Sequence, residues 1–134
     1  MNVIELHASA AETVTGNGSG VNGHAAEEAV IELDVTAAAT DANDTLDVTV
    51  QIKAPDGTNW IDVCAFTQVA GTGGAKRHIA KLSRSQAQAM FEDAALAAGN
   101  VRHLLGGQWR AKWTIADPTG SNASFTFAVH VGLE

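Results

Sequence analysis

Hydrophobic and polar residues alternate along several stretches of the chain with the period of a β-strand. The alternation is clearest over residues 31–35, 46–53, 109–116 and 124–131. Successive side chains of a strand point to opposite faces of a sheet, so each stretch predicts a strand with one buried face. Antiparallel sheets covered on one face have this pattern, whereas buried parallel strands are continuously apolar. The sequence therefore predicts mostly antiparallel sheets.

Three further stretches have weaker strand signals. Residues 60–69 form a predicted strand with mixed faces, and residues 3–8 and 76–82 are predicted as shorter strands. A glycine-rich stretch over residues 16–23 is interpreted as a loop. The buried faces of the clearest strands are expected to include Leu33, Val35, Val48, Val50, Trp113, Phe125 and Phe127.

Turn residues separate these stretches. In the sequence Ala54-Pro55-Asp56-Gly57, the proline has a fixed φ, the aspartate side chain can bond its own backbone, and the glycine tolerates positive φ. This combination is typical of a hairpin turn. Residues 117–122 have a similar composition before the last strand. Roughly seven short strands with regular turns indicate an antiparallel β-sandwich, either jelly-roll-like or Ig-like. The sandwich is expected to be a single domain over residues 1–134. Its first strand and the glycine-rich loop occupy residues 1–24.

One segment interrupts the strand pattern. Ser83 and Gln86 have the spacing of a capping box, and the apolar residues that follow recur at helical intervals as far as Gly99. The sequence predicts an inserted α-helix over residues 84–98, within a helical insertion that spans residues 83–107.

Composition and charge limit the classes of function. A chain of 134 residues is long enough to bury a core, and its single cysteine, Cys64, excludes an internal disulfide. The net charge is −7 with only eight Lys and Arg residues, so nucleic acid is not an expected direct partner. No signal-peptide pattern and no apolar run near ~20 residues is found, so we expect synthesis in a cytoplasm and no membrane partner.

No motif in the sequence predicts catalysis, a metal or a cofactor. Residues 18–23 match G-x-G-x-x-G but lack the strand and helix of a nucleotide site, and Gly71–Lys76 lacks the spacing of a P-loop. Cys64 lies within a strand and is interpreted as core. Five scattered histidines offer no ligand pair, and they are His7, His24, His78, His103 and His130. The chain is therefore expected not to be an enzyme and to bind no cofactor.

Two groups of residues leave alternatives open. A loop with Asp41, Asn43, Asp44 and Asp47 offers calcium ligands, but it lacks the order of an EF-hand, and Asx turns are the favoured interpretation. The three tryptophans are favoured as core residues over a sugar-stacking platform, because the chain has few other large side chains; they are Trp60, Trp109 and Trp113.

The strands also carry a resemblance to a known group of proteins. The succession of segments 29–37, 45–51, 55–60, 65–69, 109–113 and 124–127 resembles small virion proteins of tailed bacteriophages. The resemblance implies a β-sandwich that decorates the capsid or serves as another accessory part of the particle. Residues 83–107 depart from that pattern, in which the flanking strands are joined by a short loop.

The predicted function follows from this resemblance. We expect a capsid decoration (cement) protein that binds the assembled head, with the major capsid protein or other virion proteins and copies of itself as partners. Its expected location is the phage particle, assembled in the bacterial cytoplasm. The alternative is a carbohydrate-binding or host-adhesion module on the tail or head surface. Apolar residues of the insertion are the candidate assembly contact, namely Met90, Phe91, Leu104 and Leu105; the alternative is that the inserted helix only caps one open end of the sandwich core.

Overall fold

The computed structural model describes residues 1–86 and 90–134. The strands in these residues are numbered in chain order as β1 (Asn2–Glu12), β2 (Gly16–Asn17), β3 (Val21–Asn22), β4 (Glu28–Ala37), β5 (Thr45–Lys53), β6 (Trp60–Ala65), β7 (Val69–Ala70), β8 (Lys76–Ser83), β9 (Asn100–Val101), β10 (Gln108–Ala116) and β11 (Phe125–Leu133). The four strands with the clearest alternation are confirmed as β4, β5, β10 and β11. The strand predicted over 60–69 ends at Ala65, and the short β7 begins at Val69.

The strands form two antiparallel sheets. In the first sheet, the order is β1-β11-β4-β8. In the second, β10 and β5 are central; β2 and β3 pair with β10, β6 and β7 pair with β5, and β9 pairs with β6. The fold is therefore mainly β, with the sandwich-like arrangement that the alternation predicts. No helix in the described residues is long and apolar enough to cross a membrane.

The strand pairs are nested along the chain, which means that the first strand pairs with the last and each further pair lies between the two members of an outer pair. β1 pairs with β11, β2 and β3 pair with β10, β4 pairs with β8, and β5 pairs with β6. The chain is thus one long hairpin that is rolled up, so that β11 also lies beside β4 and β10 beside β5.

The tip of this long hairpin is the turn between β5 and β6, at the position predicted from the sequence. Gly57 has a φ of 73°, and Asp56 Oδ1 accepts hydrogen bonds from the backbone N–H of Thr58 at 2.8 Å and of Asn59 at 2.9 Å. These bonds lower the pKa of Asp56, because they favour its ionised form.

The inner faces of the two sheets share one hydrophobic core. All seven residues predicted to be buried are buried, from Val35 and Phe127 at 0% exposure to Trp113 at 7%. The register sets core residues of neighbouring strands opposite each other, as with Trp113 and Val48 or Phe127 and Val35. Burying each large apolar side chain contributes roughly 1.5–3 kcal/mol, so this core is the main source of stability.

The predicted inserted helix is not present where the structure describes the segment. Arg84–Gln86 form a single 3-10 turn, and residues 90–98 form no regular secondary structure; the remaining part of the prediction, residues 87–89, lies outside the described residues. Ser83, the expected N-cap, belongs to β8, and its backbone N–H donates to His103 Nδ1 at 3.0 Å.

The glycine-rich loop also differs in part from its prediction. Its residues include the short strands β2 and β3, which pair with β10 through Gly16 and Val21. Strands of two residues are too short to produce a periodic signal, so their pairing is set by the neighbouring strand rather than by local sequence.

Candidate functional site

The candidate site is the segment 90–107, which we call the strap. It runs along β6 at the edge of the second sheet and is fixed there by main-chain hydrogen bonds. The N–H of Gly99 donates to Ala65 O at 2.8 Å, and the N–H of Arg102 donates to Val63 O at 2.8 Å. Between these bonds, β9 extends the sheet by two residues. The strap therefore covers the free edge of β6, which would otherwise expose unpaired backbone groups.

A polar network on the second sheet holds the strap at another point. Asp62 accepts hydrogen bonds from Gln51 Nε2 at 2.7 Å through Oδ1 and from the backbone N–H of Leu96 at 3.0 Å through Oδ2. Gln51 is 5% exposed, and its Oε1 accepts a bond from Arg110 Nε at 2.7 Å. Burial lowers the pKa of Arg110, while the charge of Asp62 opposes that shift. This network could not be predicted from the sequence, because its residues occupy outward positions of their strands.

Replacing Asp62 by alanine should loosen the strap. The change removes the acceptor for Leu96 and leaves the buried Gln51 amide with one partner fewer, which costs about 1–3 kcal/mol of stability. Hydrogen exchange at the Leu96 amide is expected to accelerate more than exchange at core amides. The matched control is Asp93→Ala, an exposed strap residue, and equal protection of Leu96 in both variants would contradict this role for Asp62.

The four candidate contact residues do not form one exposed patch. Met90 is 90% exposed, whereas Leu104 and Leu105 are half-buried and pack against the core. Phe91 is half-buried, and the Arg102 guanidinium lies 4.3 Å from the centre of its ring. Of the four, Met90 is therefore the residue most available to a partner, with the ring of Phe91 beside it.

The tryptophans separate into two kinds. Trp109 is 0% exposed and Trp113 is 7% exposed, so both belong to the core, as the sequence analysis favoured. Trp60 is half-buried on the second sheet, where Arg110 and Lys53 lie 4.5 and 4.7 Å from its ring centre. A shallow cavity of about 220 Å³ lies beside Trp60 and the strap. A platform with two exposed aromatic faces is thus not formed by these three residues.

The other chemical candidates are accounted for locally. Cys64 is 1% exposed, and burial raises the pKa of its thiol to about 12, so it is inert at neutral pH. Both ring nitrogens of His7 face acceptors, with Nδ1 3.0 Å from Phe127 O and Nε2 2.9 Å from Glu12 Oε1. Within residues 1–86 and 90–134, no group of three or more His, Cys, Asp or Glu side chains is arranged to hold a metal ion.

The acidic loop forms the Asx turn that the sequence analysis favoured. The N–H of Asn43 donates to Asp41 Oδ1 at 2.9 Å. Asp47 lies apart on β5 and accepts a bond from Gln68 Nε2 at 2.9 Å. Asp44 turns inward and is buried, and its contacts are described below.

Comparison of the chain with protein-family models, curated proteins and solved structures gave no match.

Proposed function

We propose that this protein is a structural component of a bacteriophage particle, a decoration protein that binds the assembled capsid without catalysing a reaction. The nested pairing supports a jelly-roll arrangement. For this comparison the short strands β2 and β3 are counted together as the second strand, and the short strands β7 and β9 are left out. The remaining strands are then numbered one to eight in chain order, and the sheet orders are 1-8-3-6 and 2-7-4-5. This is the order of an eight-stranded jelly roll, an architecture found in viral capsid proteins and in lectins. The Ig-like alternative has a different strand order.

The observation that carries the proposal is the strap. The nested strand pairs are complete without it, yet its residues 96–102 are fixed along β6 by main-chain bonds and by Asp62. The strap begins at Met90, which is 90% exposed. A flexible, polarisable methionine adapts to an apolar partner surface, and the contact between Phe91 and Arg102 anchors the residue next to it, which lowers the ordering cost of binding. The strap is thus suited to contact a shell of repeated subunits.

Binding to a shell also benefits from repetition. Weak contacts of many linked sites on one lattice add to a strong total attachment without any new chemistry. We therefore expect the protein to bind expanded capsids of the phage that encodes it, and to bind unassembled capsid subunits only negligibly. Sedimentation of the protein with shells, compared with gel filtration alongside soluble subunits, measures the difference. Equal affinity for shells and subunits would argue against a decoration role.

Replacing Met90 by aspartate should weaken shell binding at least about tenfold, equivalent to about 1.4 kcal/mol, because a charge would be placed in an apolar contact. Met90 is exposed, so the melting temperature should stay unchanged. The matched control is Val14→Asp, which changes an apolar residue that is 68% exposed and lies outside the strap. A loss of binding of the same size in both variants would count against the strap as the contact.

Carbohydrate binding is the second candidate, and the cavity beside Trp60 is the observation that favours it. A half-buried tryptophan with Asp62, Asp93 and Lys112 around a cavity of about 220 Å³ combines an apolar ring with polar groups. The burial of Trp109 and Trp113 weighs against it, because it leaves one aromatic ring to stack on a sugar. Selective binding to a glycan that is lost in Trp60→Ala would favour this alternative over capsid decoration.

A further inference from the structure

Two carboxylates meet at one hydroxyl group where the loop between β4 and β5 approaches the loop between β10 and β11. Ser121 Oγ lies 2.9 Å from Asp44 Oδ2 and 3.2 Å from Asp117 Oδ1. Asp44 is 1% exposed, and its Oδ1 is buried without a hydrogen-bond partner in the described residues. The buried Asp44 carboxyl group therefore meets two groups nearer the surface, since Asp117 is half-buried and Ser121 is exposed.

The number of protons in this site follows from its geometry. A serine hydroxyl carries one proton, and an ionised carboxylate carries none. Ser121 has one proton for its two carboxylate neighbours, so a proton on the other carboxyl group would make the second contact a full hydrogen bond. Close approach of two carboxylates without that proton would be repulsive.

The surrounding bonds decide which carboxyl group holds this proton. Asp117 accepts from three backbone N–H groups, those of Ser121 at 2.9 Å, Asn122 at 3.1 Å and Ala123 at 3.2 Å. Such bonds favour the ionised form of Asp117. The Asp44 carboxylate accepts no bond from a backbone N–H in the described residues. When Asp44 is protonated, its Oδ2–H can donate to Ser121 Oγ, which leaves the Ser121 Oγ–H free to donate to Asp117 Oδ1; when Asp44 is ionised, the Ser121 hydroxyl is the donor to Asp44 Oδ2.

The charges around the site agree with this arrangement. Burial raises the pKa of Asp44, the bond from the Ser121 hydroxyl opposes that shift, and the nearby carboxyl groups of Asp117 and Asp41 raise the pKa further, so the net direction is upward. At Asp117, burial opposes ionisation, but the bonds from Ala123 and Ser121 outweigh it and lower the pKa. Asp41 is held ionised by bonds from Asn43 and Thr119. No Lys, Arg or His of the described residues forms a salt bridge with these three aspartates.

We propose that Asp44, Ser121 and Asp117 form a proton latch that joins the two loops while Asp44 is protonated and loosens them when Asp44 ionises. A third loop is connected to the latch through its backbone, since the N–H of Gly71 donates to Asp44 O at 2.7 Å. The latch makes this end of the sandwich respond to pH.

The direction of the response follows from proton linkage. A group with a raised pKa in the folded state binds its proton more tightly there than in the unfolded chain. The contribution of Asp44 to stability is present at low pH and is lost as pH rises from its ordinary value of 3.8 through the folded-state value. Asp41 and Asp117, whose pKa values are lowered, contribute in the opposite direction: their stability is lost as pH falls below 3.8.

Carbon-detected NMR titration of the full chain tests the latch directly. The side-chain carboxyl carbon of Asp44 should titrate with a midpoint above 3.8, and the amide signals of Ser121 and Gly71 should shift with the same midpoint. The amide of Asn122, which donates to Asp117 Oδ2, should follow the same midpoint in the unchanged chain and should no longer follow it in Ser121→Ala. In Asp44→Asn the fall in melting temperature above pH 3.8 should be smaller than in the unchanged chain, while the loss in acid remains.

Three results would overturn the latch. An Asp44 midpoint at or below 3.8 would show that the proton is not held there. Amide shifts of Ser121 and Gly71 that do not follow the Asp44 midpoint would show that its protonation does not join the loops. Saturable shifts of the same amides on addition of Ca²⁺ at neutral pH would assign the buried Asp44 oxygen to a cation instead of a proton. The titration uses the unchanged chain, so it remains informative if a variant does not fold.

Discussion

Replacing Phe127 by alanine should lower the free energy of unfolding by about 3–5 kcal/mol, the usual cost of deleting a buried aromatic side chain. Phe127 is 0% exposed at the centre of the first sheet. Its ring stacks on His7 with centroids 4.3 Å apart and meets the edge of Trp113 at 5.7 Å. The substitution therefore leaves a cavity between the sheets and removes two aromatic contacts. Urea denaturation followed by tryptophan fluorescence measures the loss.

The matched control for this change is Phe91→Ala in the strap. Phe91 is half-buried, and its ring contacts the Arg102 guanidinium. A cation–π contact at a partly exposed site contributes about 0.5–1 kcal/mol, so the control should unfold only slightly earlier. Losses of equal size in the two variants would contradict the placement of Phe127 in the core.

Gly71→Ala should destabilise the protein by about 3 kcal/mol or more, the upper part of the range for an overpacked site. A Cβ atom at position 71 would lie 1.8 Å from Asp41 O, a backbone atom that cannot move without displacing its loop. The same loop holds Asp44, whose carbonyl oxygen accepts the Gly71 N–H. The variant should therefore lower the melting temperature and alter the amide signals of residues 41–44.

A second glycine provides the control. A Cβ atom added at Gly107 would meet no heavy atom within 4 Å, and Gly107 does not have a positive φ. Gly107→Ala is expected to change stability by no more than about 0.5 kcal/mol, or to raise it slightly through a less flexible unfolded chain. Similar melting temperatures for the two variants would contradict the close packing at Gly71.

The strands with one buried face were predictable because each of them alternates over at least five residues. β5 and β10 show why this works: their buried positions, such as Val48 and Trp113, meet across the sheet and leave polar neighbours on the other face. β1 was harder to predict, because its register shifts near His7 break the alternation. A shift of one residue changes which face a side chain occupies, and local sequence does not encode it.

The insertion shows the limit of local patterns. Helical spacing after Ser83 predicted a helix, but a helix of about 15 residues is marginal without packing partners. The strap instead bonds to Ala65, Val63 and Asp62, which lie 34 to 39 residues earlier in the chain than their partners. These bonds cannot be inferred from spacing, and Asp62 had no distinguishing signal in the sequence. The tertiary environment therefore overrides the helical tendency of this segment.

The candidate site was predictable only in part for the same reason. Met90 is exposed, as the predicted contact with a partner requires. Leu104 and Leu105 were included in that prediction only because they are hydrophobic, and they pack against the core. For the Asp44 site, the sequence indicated only that Asp44 belongs to a group of acidic residues in one loop. Its partners Asp117 and Ser121 come from a loop more than 70 residues later, and only the fold brings them to Asp44.

The nested strand pairing sets the order of events when the chain folds. Residues near position 2 pair with residues near position 133, so the first sheet cannot be completed until residue 133 has left the ribosome. Among the described strands, only β5 and β6 are both paired and consecutive in the sequence, which makes their hairpin the natural folding nucleus. Proteins dominated by such distant contacts fold in milliseconds to seconds rather than microseconds. Until β11 is available, both β1 and β4 lack a neighbour and expose strand edges, so a nascent chain at high concentration is most prone to aggregation in that interval.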